Sequence, residues 1–138
     1  MTQRQFTLLA DLAILGAAVT IAFVVLSPSG SILAGGERGQ HLSQQQTWIV
    51  HGLLFAGLGF TLAVRLAAAG RSGATLAKLV VALLLLASVG ALAEAAQLRI
   101  DTRSASYGDW VADTVGAALG LWIGGITAHP LMLLLTRR

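Results

Sequence analysis

Four long apolar segments constrain this chain more than any other feature. They cover approximately residues 6–27, 48–69, 75–97 and 109–135, and each reaches the roughly 20 residues that a helix needs to cross a bilayer. Only 11% of the residues are charged, against about 25% in a soluble domain, and 56% are hydrophobic. The sequence therefore predicts one all-α domain over residues 1–138, a four-helix transmembrane bundle with short loops, and excludes a soluble enzyme.

The distribution of basic residues predicts how this bundle is oriented. The linker between the second and third segments is basic and lacks acidic residues, and the C-terminus ends in two arginines. By the positive-inside rule we expect both termini in the cytoplasm, so the formal net charge of +3 indicates topology rather than nucleic-acid binding. Trp48 and Trp110 fall at the outer ends of their segments, where interfacial tryptophan is common. The flanking basic residues are Arg4, Arg65, Arg71, Lys78, Arg137 and Arg138.

Polar and small residues concentrate on either side of the linker between the third and fourth segments. GxxxG spacings in this region allow close contact between helix backbones. We expect one stripe from each segment to pack against the other and to gather the polar side chains at the outer membrane edge. The stripe on the third segment is Ala87, Gly90, Ala91, Glu94 and Gln97. The stripe on the fourth segment is Asp109, Asp113, Gly116, Gly120 and Gly124.

This outer cluster is a candidate binding site for an anionic group. Arginine side chains can clamp a phosphate or carboxylate by paired hydrogen bonds, which makes Arg99 and Arg103 candidate ligand-binding residues. Three further candidates from the two stripes are Gln97, Asp109 and Asp113. An equally open alternative is a structural ion-pair network that fixes the linker to the bundle.

Two residues of the same cluster are candidates for acid–base chemistry. Glu94 lies near the end of the third segment, and His51 lies near the outer start of the second. Carboxyl and imidazole groups can transfer protons when they are held in a shielded site. Whether the protein is an enzyme at all stays open at this point.

The same stretch resembles the VanZ-like family of small membrane proteins. The family pattern is Glu-x-x-Gln at the end of one helix, a loop arginine, and Asp-x-x-x-Asn-x-x-Gly-x-x-x-Gly at the start of the next helix. The matching residues here are Glu94, Gln97, Arg103, Asp109, Asp113, Gly116 and Gly120, with His51 matching an upstream histidine. The resemblance implies a four-helix fold and a place in the bacterial cell envelope, because the founding member is associated with resistance to a glycopeptide.

Three departures from the family pattern concern its polar residues. The helix asparagine is replaced by Asp113, and Asp101-Thr102 stands where Pro-Gly often precedes the loop arginine. Thr47-Trp48 stands where family members usually have Asp-Lys. A catalytic or ligand-binding core implied by the resemblance can therefore be altered or lost in this chain.

Metal and cofactor sites are not expected from the sequence. The chain has no cysteine, so it has no thiolate metal ligand. His51 and His129 lie at opposite ends of their helices, roughly 25–30 Å apart at 1.5 Å per residue, so they cannot hold one metal or haem together. His41 falls in a polar linker. We therefore predict neither a metal centre nor a cofactor.

Three functions remain open from the sequence. The first is a VanZ-like protein of the bacterial inner membrane whose outward-facing cluster binds an anionic lipid-linked or glycan-related group, with or without catalysis. The second is an accessory subunit of a larger assembly, which implies other integral membrane proteins as partners beside membrane lipids. The third is a small transporter or proton path that uses Glu94 and Asp11, an acid inside the first segment. Asp11 has a structural alternative, a pair with Arg4 or another basic residue at that membrane face.

Overall fold

The described part of the chain forms four long α-helices and no strand. A computed structural model describes residues 2–26, 43–69, 74–99 and 106–136. The helix starts differ from the predicted ones by at most four residues and the helix ends by at most one, so the predicted all-α four-helix fold is confirmed. The helices are α1 (Gln3–Leu26), α2 (Gln44–Ala68), α3 (Leu76–Gln97) and α4 (Tyr107–Thr136).

All four helices are long and apolar enough to cross a membrane. Their outward faces carry large apolar side chains that a water-soluble domain would bury, such as Leu53, Leu92 and Trp122, each more than 60% exposed. Such faces suit contact with lipid chains rather than water. The chain is thus consistent with a multi-pass membrane protein, and the cytoplasmic location of both termini stays a prediction.

Local side-chain chemistry fixes where α2 and α4 begin. Ser43 and Gln46 form a capping box, in which the Ser43 hydroxyl accepts from the Gln46 N–H and the Gln46 amide oxygen accepts from the Ser43 N–H. This box begins α2 four residues before the predicted start at position 48. Ser106 precedes α4 in the same way, and its hydroxyl accepts from the Asp109 N–H at 3.3 Å. Both caps lie at one end of the bundle, which we name the cluster end because buried polar side chains gather there.

The closest helix contact in the described bundle joins α2 and α4, which run parallel. Their facing residues follow the same order along both helices, and a Cβ on Gly116, Gly120 or Gly124 of α4 would overlap the α2 backbone. Close approach of this kind is what small residues at GxxxG spacing permit. The facing pairs are Gly52 with Gly116, Ala56 with Gly120, and Phe60 with Gly124.

The predicted partner of the α4 glycine stripe was therefore wrong. The stripe packs on α2 rather than on α3, because α2 presents a small-residue groove of its own at that depth. On α3 the same depth carries the bulky side chains of Leu79 and Leu86, which fill the centre of the bundle. The α3 helix runs antiparallel to α4 and meets it chiefly at the cluster end, where Gly90 faces Asp113.

An apolar core fills the bundle below the cluster end. It draws side chains from all four helices, although α1 contributes only one buried member. Close packing of such side chains stabilises helix association in a bilayer, where burial from water is no longer the driving force. The buried members are Ile21, Phe55, Leu58, Ala63, Ala82, Leu86, Ala117 and Leu121.

Candidate functional site

Five polar side chains are buried together at the cluster end, between the start of α2, the end of α3 and the start of α4. Each is at most 7% exposed. Charged side chains are almost never this buried unless they are paired or have a functional role. We name this group the polar cluster, and its members are His51, Glu94, Gln97, Asp109 and Asp113.

A histidine–aspartate contact joins α2 to α4 inside the cluster. His51 Nδ1 lies 3.0 Å from Asp113 Oδ1, and both side chains are buried. The contact is possible because Gly52 and Gly116, next to it along the two helices, let the backbones meet. The glycine stripe thus positions the polar cluster as well as joining the helices.

Glu94 links the end of α3 to Ser106, the residue immediately before α4. Its Oε2 accepts a hydrogen bond from the Ser106 N–H at 2.7 Å. Ser106 in turn accepts from the Asp109 N–H and from the Gln44 side-chain amide. One carboxylate therefore anchors the cap of α4 and brings Ser106 within reach of α2.

The second oxygens of two carboxylates remain without hydrogen bonds. Glu94 Oε1 and Asp113 Oδ2 are buried, and no described residue donates to either atom. Gly90 leaves room for the Asp113 carboxylate, since a Cβ at position 90 would lie only 3.2 Å from Oδ2. Buried polar atoms are nearly always satisfied in proteins, so these two oxygens need an explanation.

Aromatic side chains lie beside the polar cluster at the cluster end of the bundle. The Trp110 indole N–H donates to the Ala87 carbonyl at 3.0 Å and so bridges α4 to α3. The Trp48 indole covers Gly108, where any side chain would collide with the ring. Tyr107 stacks at a tilt on Trp110, with ring centroids 5.5 Å apart. Trp48 and Trp110 thus lie at the cluster end, as expected from their positions in the sequence.

The structure brings together most of the residues that the sequence put forward for a site. Glu94, Gln97, Asp109 and Asp113 meet in one cluster, and His51 reaches it from α2. Their roles in catalysis or binding stay predictions.

Of the two candidate arginines, Arg99 does not join this buried group. Arg99 is exposed just beyond α3, so it lies outside the polar cluster. Arg103 and Asp101 fall outside the described residues. The positive charge of Arg99, expected beside the carboxylates, therefore lies at the surface.

Asp11 pairs with a basic residue of the same membrane face. Its carboxylate accepts from the Arg65 guanidinium at 2.6 and 3.4 Å, which joins α1 to α2 at the end opposite the cluster. The partner is Arg65 rather than Arg4, which the sequence suggested first. His41 and the side chain of His129 lie outside the part of the chain that the structure describes.

Three features of the site escaped the sequence analysis. The Ser106-x-x-Asp109 spacing is a capping signal that would have placed the start of α4 correctly. The contact of His51 with Asp113 required knowing that α2 and α4 are neighbours. The prediction that no metal binds considered only whether His51 and His129 could share an ion. In the structure, possible ligand atoms of His51, Glu94 and Asp113 all lie within 4.8 Å of one another.

Comparison with known proteins adds no relative to this description. No family model matches the chain, no curated protein matches its sequence, and no solved structure matches it.

Proposed function

We propose that this protein is a VanZ-like integral membrane protein of the bacterial cell envelope whose polar cluster binds an anionic lipid-linked or glycan-related group. The observation that carries the proposal is the pair of buried carboxylate oxygens, Glu94 Oε1 and Asp113 Oδ2, to which no described residue donates. Leaving a buried acceptor unsatisfied costs about 1–3 kcal/mol, and more for a charged group. A ligand removes this cost if it brings hydrogen-bond donors, such as glycan hydroxyl groups, to these two oxygens.

The position of the cluster supports a ligand that enters from the membrane surface. Glu94 and Asp109 keep 7% and 6% of their surface exposed at the end of the bundle. Exposed Arg99 begins the linker that continues to Arg103 and returns to Ser106. Exposed Arg99 favours an anionic group at this end of the bundle, while the carboxylates of the cluster accept donors or a cation.

The predicted orientation supports an envelope ligand. If both termini face the cytoplasm, the cluster end faces outward, where the head groups of lipid-linked envelope precursors are exposed. The resemblance to the VanZ-like family favours the same context, a multi-pass protein of the bacterial inner membrane.

A proton or solute path receives less support from the interior of the bundle. Asp11 and Glu94 lie at opposite ends. The described core between these ends consists of apolar side chains such as Phe55, Leu86 and Leu121. A relay needs polar groups or water along its length, and the buried side chains of this core are apolar.

The proposal is tested by the lipids that accompany the protein. The tagged chain is purified in a mild detergent, and its bound lipids and proteins are identified by mass spectrometry. We expect an anionic lipid-linked or glycan-bearing lipid at about one per chain with the wild type. Glu94→Gln should lose it, although its amide oxygen can still accept from the Ser106 N–H.

Asp11→Asn is the matched control, because it removes a carboxylate at the opposite end of the bundle. We expect this variant to retain the lipid. Recovery of bulk lipids alone, equal for all three proteins, would contradict the proposal. A stoichiometric set of other membrane proteins without such a lipid would favour the accessory subunit instead.

A further inference from the structure

We infer that the polar cluster binds a divalent transition-metal ion between His51, Glu94 and Asp113. The inference rests on the proposed function, because it names how a cluster rich in carboxylates holds an anionic group. An anion placed directly against Glu94 and Asp113 would be repelled. A bound dication neutralises these two negative charges and can take an oxygen of the anion as a further ligand.

The donor set is drawn from three helices and converges on one point. Possible ligand atoms of His51 on α2, Glu94 on α3 and Asp113 on α4 all lie within 4.8 Å of one another. Metal–ligand bonds of about 2.0–2.2 Å place neighbouring donors roughly 3–3.5 Å apart. Binding an ion therefore requires these atoms to move closer together.

The two carboxylate oxygens without hydrogen bonds supply an independent reason. Asp113 is fully buried, Glu94 is 93% buried, and Asp113 Oδ2 and Glu94 Oε1 receive no hydrogen bond from the described residues. Two carboxylates buried side by side are unfavourable when neither free oxygen is compensated. One dication neutralises both charges and satisfies both oxygens.

Neighbouring groups already hold the possible ligands in place. The Ser106 N–H fixes Glu94 through Oε2 and leaves Oε1 available. Asp113 is restrained by His51 through Oδ1 and leaves Oδ2 available. Outer hydrogen bonds such as the one from Ser106 to Glu94 commonly orient metal ligands and contribute strongly to affinity, whereas the His51–Asp113 contact joins two of the ligands themselves.

The chemistry of the donors selects the type of ion. An imidazole nitrogen favours Zn²⁺ or Fe²⁺, and the two carboxylates also suit Mn²⁺, whereas Ca²⁺ and Mg²⁺ prefer sites made of oxygen alone. Three protein ligands leave at least one coordination position open. A phosphate or carboxylate oxygen of the envelope ligand fits that position, close to the exposed end of the cluster.

The inference is tested with the metal alone. The full chain is purified in detergent, stripped with a chelator, and titrated with ZnCl₂ and MnCl₂ by calorimetry, with metal analysis after gel filtration. We expect about one ion per chain and a higher midpoint of thermal unfolding when the metal is bound. Magnesium chloride should bind at least about tenfold more weakly than zinc.

Conservative variants locate the ion. We expect Asp113→Asn and Glu94→Gln each to weaken zinc binding at least about tenfold, since even outer-shell changes reduce metal affinity by about 10–100-fold. Asp11→Asn should bind like the wild type. If a variant fails to fold, the number of ions bound by the wild type and the change in its unfolding midpoint still test the inference. Absence of a stoichiometric ion in the wild type, or equal binding by folded Asp113→Asn, would overturn the inference.

Lipid analysis of stripped and metal-loaded protein separates this inference from the proposed function. A glycan-bearing anionic lipid that is retained by a protein without metal affinity overturns the metal site and leaves the proposed function standing. Stoichiometric metal without such a lipid supports the metal site and contradicts the proposed function. Lipid retained only by the metal-loaded protein supports both.

Discussion

At the scale of single residues, Asp113 is the side chain on which the cluster depends most. It is fully buried on α4, and its Oδ1 contacts His51 of α2. Its Oδ2 lies against Gly90 of α3, where a Cβ would approach it to 3.2 Å. A single carboxylate therefore lies at the junction of three helices.

The stability of the bundle should depend on the hydrogen bond that the Asp113 carboxylate accepts from His51, rather than on the negative charge of the carboxylate. Asp113→Ala leaves the His51 imidazole buried without its partner, and we expect a loss of about 1–3 kcal/mol. Asp113→Asn keeps an oxygen that can accept from His51, so it should remain much closer to the wild type. Reversible unfolding in mixed micelles, followed by circular dichroism, measures both. Equal stability of the alanine and asparagine variants would show that the contact with His51 contributes nothing.

The candidate residues were largely predictable, but their contacts were not. Burial of Glu94, Gln97, Asp109 and Asp113 follows from their positions on helix faces that also carry small residues. The contact between His51 and Asp113 joins residues 62 positions apart, and no periodicity along the chain encodes it. It follows only from the pairing of two helices that are not consecutive.

At the scale of helices, the parallel contact of α2 and α4 organises the bundle. Gly116, Gly120 and Gly124 of α4 face the backbone of Gly52, Ala56 and Phe60. Van der Waals contacts between backbones supply the attraction when apolar burial from water is no longer available. A side chain added in this contact must therefore push the helices apart.

Gly120→Ala should weaken this helix pair. Its Cβ would overlap the backbone of Ala56, which cannot move aside as a flexible side chain could. Overpacking of this kind costs typically about 1–3 kcal/mol, so we expect a lower midpoint of thermal unfolding in detergent.

Gly57→Ala is the matched control for the same substitution. No atom lies within 4 Å of a Cβ at position 57, so the added methyl group meets only the surroundings of the bundle. We expect unchanged or slightly higher stability, because alanine is a better helix former than glycine. An equal loss of stability in both variants would argue against the parallel contact.

The number and length of the helices were predictable, whereas their neighbours were only partly so. Four apolar segments set the helix count, and the starts were missed where polar caps such as Ser43 and Ser106 extend a helix beyond its apolar run. The glycine spacing on α4 indicated a close contact but carried no information on its partner. The choice of partner depended on small residues of α2 that complement the α4 glycines. The sequence pattern did not pair these two sets of residues.

At the scale of the whole molecule, the orientation in the membrane can be measured directly. The chain has no cysteine, so one introduced cysteine reports its own position. Gln45 and Ala69 are exposed at opposite ends of α2, and Gln45 lies on the cluster end. We expect a membrane-impermeant maleimide to label Gln45→Cys in intact cells and Ala69→Cys only after permeabilisation.

The opposite labelling pattern would place the polar cluster at the cytoplasmic face. The proposed outward-facing ligand would then be wrong, although the metal site would be unaffected. Leu98→Cys, at the exposed end of α3, offers a second position on the cluster end. It should be labelled under the same conditions as Gln45→Cys.

The parallel pairing of α2 and α4 also bears on how the protein is made. Because the chain is synthesised from its N-terminus, α2 enters the membrane while α4 is still inside or near the ribosome. During that interval the groove of α2 meets lipid instead of glycine, and His51 has no aspartate beside it. The polar site is therefore completed only at a late step of biogenesis, and a chain arrested before α4 would present an unfinished helix surface to membrane quality control.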